Sequence, residues 1–295
     1  MSSEEKITLE DSSKKVIKHC VPPVYSKSSN ESNTGIVIGK IQSGKTLSFT
    51  SVIALARDNG YKLVVIISGR SNLLLKQTKD RLREDTLIDN KIQILNSNWD
   101  VNRKLKFLSK PFIKTQRGKL TIIPILKHQN YLKSVRELFE SKELSVLLKK
   151  NSVLIIDDEA DQASLNTYAR KNAKSDAKVT NRASAIFSGI KLLRHSCPNH
   201  TYLQYTATPQ ANLLIDSLSL LSPDWHVLLT PGEAYTGGNS FFSNNKYKIK
   251  LNAPIPKIGE YPPVTKHLLE PPQSYIDAIA EFFILSALMS GEIKN

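Results

Sequence analysis

The sequence predicts an α/β domain built on a mainly parallel sheet with helices on both faces. Two observations carry this. From residue 34 to about 220, short apolar runs alternate with helical patterns. The runs are also continuous, not alternately apolar and polar, as expected for strands covered on both faces.

The elements follow in order. "GIVIG", residues 35–39, reads as a buried strand ending at glycine. A helical pattern runs from Lys45 to about Arg57, and Asn59-Gly60 stops it as a helix C-cap does. "KLVVIIS", residues 62–68, is a second strand, rich in β-branched residues. "SNLLLKQTKDRLRED" is helical, with Ser71 or Asn72 as N-cap. "LTIIPIL", residues 120–126, gives a third strand, and a helical stretch follows to Lys150. "SVLIID", residues 152–157, is a fourth strand and "TYLQYTAT", residues 201–208, a fifth. Residues 1–33 are polar and rich in Ser and Lys, and read as a flexible tail. Residues 34–220 form the domain itself. Residues 221–295 are Pro-, Gly- and Asn-rich, a loop-rich extension closed by an amphipathic helix over about residues 273–290.

The 295 residues carry a formal charge of +14. Much of it is clustered: residues 102–150 hold 13 Lys/Arg against 3 acids, and residues 170–194 hold 7 against 1. Clustered basic charge favours a polyanionic partner, because neutralised phosphates release counterions. No long uncharged apolar run is present, the start lacks a signal-peptide core, and two cysteines are too few for a disulfide framework. A cytoplasmic protein is expected.

Three short motifs carry chemistry. "GKIQSGKT" has Gly39, four residues, then Gly44-Lys45-Thr46, after a strand and before a helix. That is the pattern of a phosphate-binding loop. Its backbone N–H groups and the helix N-terminus bind phosphate, Lys45 reaches the β- and γ-phosphates, and the Thr46 hydroxyl holds Mg²⁺. In "VLIIDDEADQAS" a carboxylate at a strand tip completes the metal site. Asp158 is the favoured ligand, Asp157 its rival, and Glu159 is placed to polarise water. In "YTATPQANLL", Thr206 and Thr208 fall at another strand end, where their hydroxyls can reach Asp161 and couple hydrolysis to movement. "HSCPNH", residues 195–200, could offer metal ligands but lacks a fourth, so a polar turn is expected.

Together these motifs resemble the first motor lobe of superfamily-two helicases and translocases, a RecA-like P-loop NTPase fold. The Thr-Ala-Thr-Pro form is closer to DNA motors than to RNA helicases. The blocks "GKIQSGKT", "SGRSNLLLKQTKDRL", "IIDDEADQASLN", "YLQYTATPQANLLI" and "LSPDWHVLLTPGEAYTGGNSFF" are similar to the Z-one-domain family, endonuclease-like proteins of bacterial restriction and defence systems. The resemblance spans roughly residues 35–290. It implies that Gly39, Gln42, Ser43, Gly44, Lys45 and Thr46 bind ATP, that Thr46 and Asp158 hold Mg²⁺, and that Glu159 and Lys45 are catalytic. It implies coupling roles for Asp161, Thr206 and Thr208. Nucleic-acid contacts, to DNA before RNA, fall on Arg70, Asn72 and Lys127, with Gln77 a weaker candidate.

Members of that family are longer, with a second lobe supplying an arginine to the transition state. This chain is therefore expected to be a truncated or split motor that binds ATP and hydrolyses it slowly alone. A second lobe or other defence-system subunits are the implied protein partners. No nuclease site is visible. The alternatives are a non-motor nucleotide switch or binding subunit, which would bind a protein partner through the loop-rich region, and an RNA helicase lobe.

Overall fold

The computed structural model describes residues 2–40, 43–86, 92–95, 119–162, 185–213, 221–232, 235, 276, 279–280 and 283. The chain divides after Tyr235 into two units. In the second unit the described residues 276, 279, 280 and 283 are helical and exposed. The rest of the expected terminal helix, residues 102–118 of the first basic stretch and residues 170–184 of the second lie outside the described residues.

The first unit runs α1 (Ser3–His19), β1 (Ser32–Ile38), α2 (Lys45–Asp58), β2 (Leu63–Ser68), α3 (Asn72–Thr86), β3 (Ile92–Ile94) and β4 (Leu120–Leu126). It continues with α4 (Gln129–Phe139), α5 (Lys142–Leu148), β5 (Val153–Asp158), α6 (Ala185–His195), β6 (His200–Thr206), α7 (Gln210–Leu213) and β7 (Trp225–Leu228). The strands form one sheet in the order β3-β4-β2-β5-β6-β1-β7, every pairing parallel. This is the α/β P-loop NTPase fold with helices on both faces.

The continuous apolar runs divide by the two-residue period of a strand. Leu63, Val65, Ile67, Ile123, Ile125, Val153 and Ile155 face α4, α5 and α6, packing on Leu132, Val135, Phe139, Leu148, Ile190 and Leu193. Val64, Ile66, Ile122, Leu154, Ile156 and Leu203 face the other way, onto Phe49, Val52, Ile53 and Ala56 of α2, Leu82 of α3 and Val16 of α1. The stretch expected as one helix after β4 breaks at Ser141 into α4 and α5. The domain also runs past residue 220, because β7 pairs with β1 at the sheet edge. Gly35 permits this edge: a Cβ there would lie 2.3 Å from the Trp225 ring. Among the described residues no helix is long and apolar enough to cross a membrane.

The expectation of a flexible tail over residues 1–33 is corrected. Ser3–His19 is a helix with a complete Ser2/Glu5 capping box. Val16 is buried in the core of the α2 face. The segment that follows is tied to the floor of the sheet: Val21 N donates to Thr201 Oγ1 (2.9 Å), Ser152 N to Pro23 O (2.9 Å) and Tyr25 N to Lys150 O (2.9 Å).

"HSCPNH" is the turn into β6, and its last residue is a structural histidine. Buried Arg194 donates Nε to His200 Nε2 at 2.9 Å, and His200 Nδ1 lies 2.7 Å from Cys197 O. That pairing fixes the neutral tautomer with the proton on Nδ1. Burial, reinforced by the Arg194 charge, pushes the His200 imidazole down to about 3. A base depressed in the folded state contributes stability that is complete above its unfolded pKa of 6.5 and is lost as pH falls towards 3. The stability advantage of the wild type over His200→Gln should therefore shrink by about 1.4 kcal/mol per pH unit below 6.5. Urea titrations of both proteins from pH 7 to pH 5 would read this, and a constant gap would contradict it.

Candidate functional site

All strands being parallel, every strand C-terminus lies on one edge of the sheet. Register puts Ile38 of β1 beside Thr206 of β6, and Asp158 of β5 beside Tyr205. The loops carrying the three sequence motifs are thereby neighbours before any side chain is considered.

The phosphate-loop sequence leaves β1 with Gly39 N donating to Thr206 O at 3.1 Å. Ser43 turns back on the loop, its N and Oγ both donating to Lys40 O. Gly44 has φ +87°, a left-handed conformation that disfavours a side chain although nothing lies within 4 Å of where a Cβ would stand. It begins α2 with no side-chain cap. The first N–H groups of α2 therefore get no partner from a capping side chain, and with the helix dipole they favour an anion there. Gln42 lies outside the described residues.

A cleft of about 730 Å³ opens at this edge. Its α2 wall is Gly44, Lys45, Thr46 and Leu47. Asp158, Glu159 and Gln162, at and after the end of β5, line it as well. The third wall is Gly69 and one stripe of α3: Leu74, Gln77, Thr78 and Arg81, spaced i, i+3, i+4, i+7. Ser71 caps that helix, its Oγ accepting from Leu74 N at 3.2 Å. Arg81 reaches across the cleft and donates Nη1 to Thr46 Oγ1 at 3.1 Å.

The acidic box is shaped from beneath. Lys127, at the end of β4, is fully buried and lies 2.8 Å from Asp157 Oδ1. Its Nζ also donates to the carbonyls of Asp158 (3.0 Å), Glu159 (2.7 Å) and Gln162 (3.2 Å). Tyr202 Oη donates to the other oxygen of Asp157. One sequence reading changes and one rival is set aside. Lys127 is corrected as a nucleic-acid contact: its ammonium is inside the protein, engaged with four oxygens. Asp157 is committed to Lys127 and Tyr202, which leaves Asp158 as the aspartate on the cleft. Glu159 has φ +57°, a left-handed conformation rare outside glycine. Lys127 on its carbonyl, and Ala160 N on Tyr205 O (3.0 Å), hold that turn.

Burial, and then the neighbouring Glu159 carboxylate, pushes the Asp158 carboxyl up to about 6. That is the balance of a carboxylate short of positive partners, which a cation would supply. Next to the cleft, Thr206 Oγ1 and Thr208 Oγ1 donate to the two oxygens of Asp161 at 2.7 and 2.6 Å. Burial alone would raise the Asp161 carboxyl, but the two hydroxyls outweigh it and hold it below its ordinary value. Arg70 and Asn72 are exposed at the head of α3.

The residues present fit a magnesium–nucleoside triphosphate complex. The uncapped start of α2 and Lys45 suit phosphates; a hydroxyl (Thr46) and a carboxylate (Asp158) suit Mg²⁺, which is commonly held by one or two protein oxygens together with substrate phosphates. Sequence reasoning missed the roles of Lys127 and Arg81. The only signal for Arg81 was its helical spacing from Gln77.

Comparison with known proteins adds the lineage. No curated protein matches the sequence. Among solved structures the chain is similar to the Hef helicase domain of Pyrococcus furiosus, at 14% identity over 73% of this chain and 37% of that one, TM-score 0.41. It is similar to the DEAD-box helicase Mss116 bound to ssRNA and UDP-BeF, at 14% identity over 75% and 39%, TM-score 0.43. A DEAD box protein from the hyperthermophile Methanococcus jannaschii gives 14% identity over 76% and 49%, TM-score 0.42. The chain thus spans between 37% and 49% of the length of these three structures. A family model described as "Type III restriction enzyme, res subunit" matches residues 6–211, from α1 through the Thr-Ala-Thr turn. With its phosphate loop, acidic box and parallel sheet on one edge, the chain belongs to that family and carries its helicase-like lobe.

Proposed function

We propose that this chain is the ATP-binding lobe of a superfamily-two DNA motor, of the Z-one-domain kind found in restriction and defence systems. One observation carries the reading: a single cleft collects the uncapped start of α2, Lys45, Thr46, Asp158 and Glu159. In this reading Gly39, Gln42, Ser43, Gly44, Lys45 and Thr46 hold the triphosphate. Thr46 and Asp158 hold Mg²⁺, which when bound supplies Lewis-acid stabilisation of phosphoryl charge. Glu159, fixed in its left-handed turn, orients and deprotonates water. Lys45 stabilises charge on the phosphoryl oxygens. Asp161, clamped by Thr206 and Thr208, is the coupling element between this edge and movement. DNA is the favoured polyanion, supported by the Thr-Ala-Thr-Pro turn, the clustered basic charge and the family's description as a restriction-enzyme subunit. Arg70 and Asn72 are its contacts on this lobe.

A second lobe, carried over from the Z-one resemblance, completes the transition-state charge. Glu159→Gln separates binding from chemistry. It should keep the wild-type ATP affinity within about twofold while residual phosphate release falls by about 10²-fold or more. Calorimetry and a phosphate-release assay measure the two. Unchanged release would overturn the assignment of Glu159.

A further inference from the structure

Arg81 has no place in the motif set, yet it points into the cleft. It stands one turn beyond Gln77 and Thr78 on the α3 stripe that forms the cleft wall. Its neighbours Thr78 and Leu82 are buried and fix the helix, while the arginine side chain is exposed to the cleft. Its Nη1 donates to Thr46 Oγ1 at 3.1 Å. That oxygen is the one assigned to Mg²⁺ under the reading above, on which this inference rests. A hydroxyl oxygen can accept from a guanidinium or ligate a metal, and the two cations repel at such short range.

We propose that Arg81 is a triphosphate-sensing residue: it rests on Thr46 and exchanges that partner for the terminal phosphate when a magnesium–triphosphate occupies the cleft. The anion chemistry fits. Guanidinium presents a planar fork of donors matched to phosphate oxygens. The metal-bound hydroxyl marks the β,γ end of the triphosphate, so an arginine beside it lies at the γ-phosphate and away from the base. Arginines supplied in cis at such a position stabilise phosphoryl charge in other nucleotide hydrolases. A diphosphate lacks the group that would draw Arg81 off Thr46, so the residue discriminates ATP from ADP.

The test is the affinity of the full chain for ATP and for ADP with Mg²⁺, in wild type, Arg81→Ala and Arg81→Lys. Loss of one charge-assisted contact to phosphate should weaken ATP binding about tenfold in Arg81→Ala and leave ADP binding within about twofold. Arg81→Lys should fall between, because lysine keeps the charge and loses the fork. Equal losses for ATP and ADP, or no loss for either, would overturn the proposal while leaving the nucleotide site standing, provided Lys45→Ala weakens binding by about a hundredfold. If the wild type binds neither nucleotide, both this inference and the proposed function fail together.

Discussion

Replacing Lys127 by methionine should destabilise the domain by about 3–5 kcal/mol, since it strands a buried partner charge. Asp157 is fully buried, 2.8 Å from the Lys127 ammonium. Without Lys127 its carboxylate keeps the Tyr202 hydroxyl but loses its cation. The carbonyls of Asp158, Glu159 and Gln162 lose a donor in the same stroke. Glu159 holds a left-handed conformation that costs on the order of 1–3 kcal/mol, and one of its restraints would be gone. Against a usual domain stability of about 5–15 kcal/mol, this is a large fraction. The companion variant separates charge from packing: adding Asp157→Leu should recover more than half of the loss, because removing both partners of a buried pair is often nearly neutral. Denaturant titration reads both. A single-variant loss below about 1 kcal/mol would mean that Lys127 is not the buried organiser described above.

The same lysine shows what the sequence could and could not convey. β1, β2, β4, β5 and β6 were legible because strands covered on both faces must be apolar throughout. β3 is three residues long and β7 four, with only Val227 buried, so neither leaves a pattern above background. α1 was hidden because it buries only Ser13 and Val16, and a helix resting one narrow stripe on the core can be polar elsewhere. In the candidate site, the phosphate loop, acidic box and threonine turn were legible, because each is a contiguous block at a strand end. Asp157 against Asp158 was not, since the choice depends on β4 and β6 delivering Lys127 and Tyr202 to one of the two. A lysine after an apolar strand looks the same whether it meets solvent or three carbonyls. Arg81 depends on α3 packing beside α2, which no local spacing states.

Lys45→Ala should reduce ATP affinity by about a hundredfold. The expectation rests on where the ammonium stands. Lys45 is the first residue of α2, and it lines the same cleft as Asp158 and Glu159. A lysine there supplies positive charge to phosphates in a site whose other fixed charges include two carboxylates. Charge-assisted contacts of this kind contribute about 1.5–3 kcal/mol each, and 2.7 kcal/mol corresponds to roughly a hundredfold. Lys45 is half-buried at the helix start, outside the apolar core that α2 forms through Phe49, Val52, Ile53 and Ala56, so the fold should be retained. The direct measurement is a calorimetric titration of ATP, with Mg²⁺ and with the metal chelated, into wild type and Lys45→Ala. The predicted result is saturable binding by the wild type that weakens on chelation, and an affinity about a hundredfold lower in a Lys45→Ala protein with an unchanged unfolding transition. Failure of the wild type to bind, or equal affinity in the two proteins, would contradict the assignment of this cleft as a magnesium–triphosphate site.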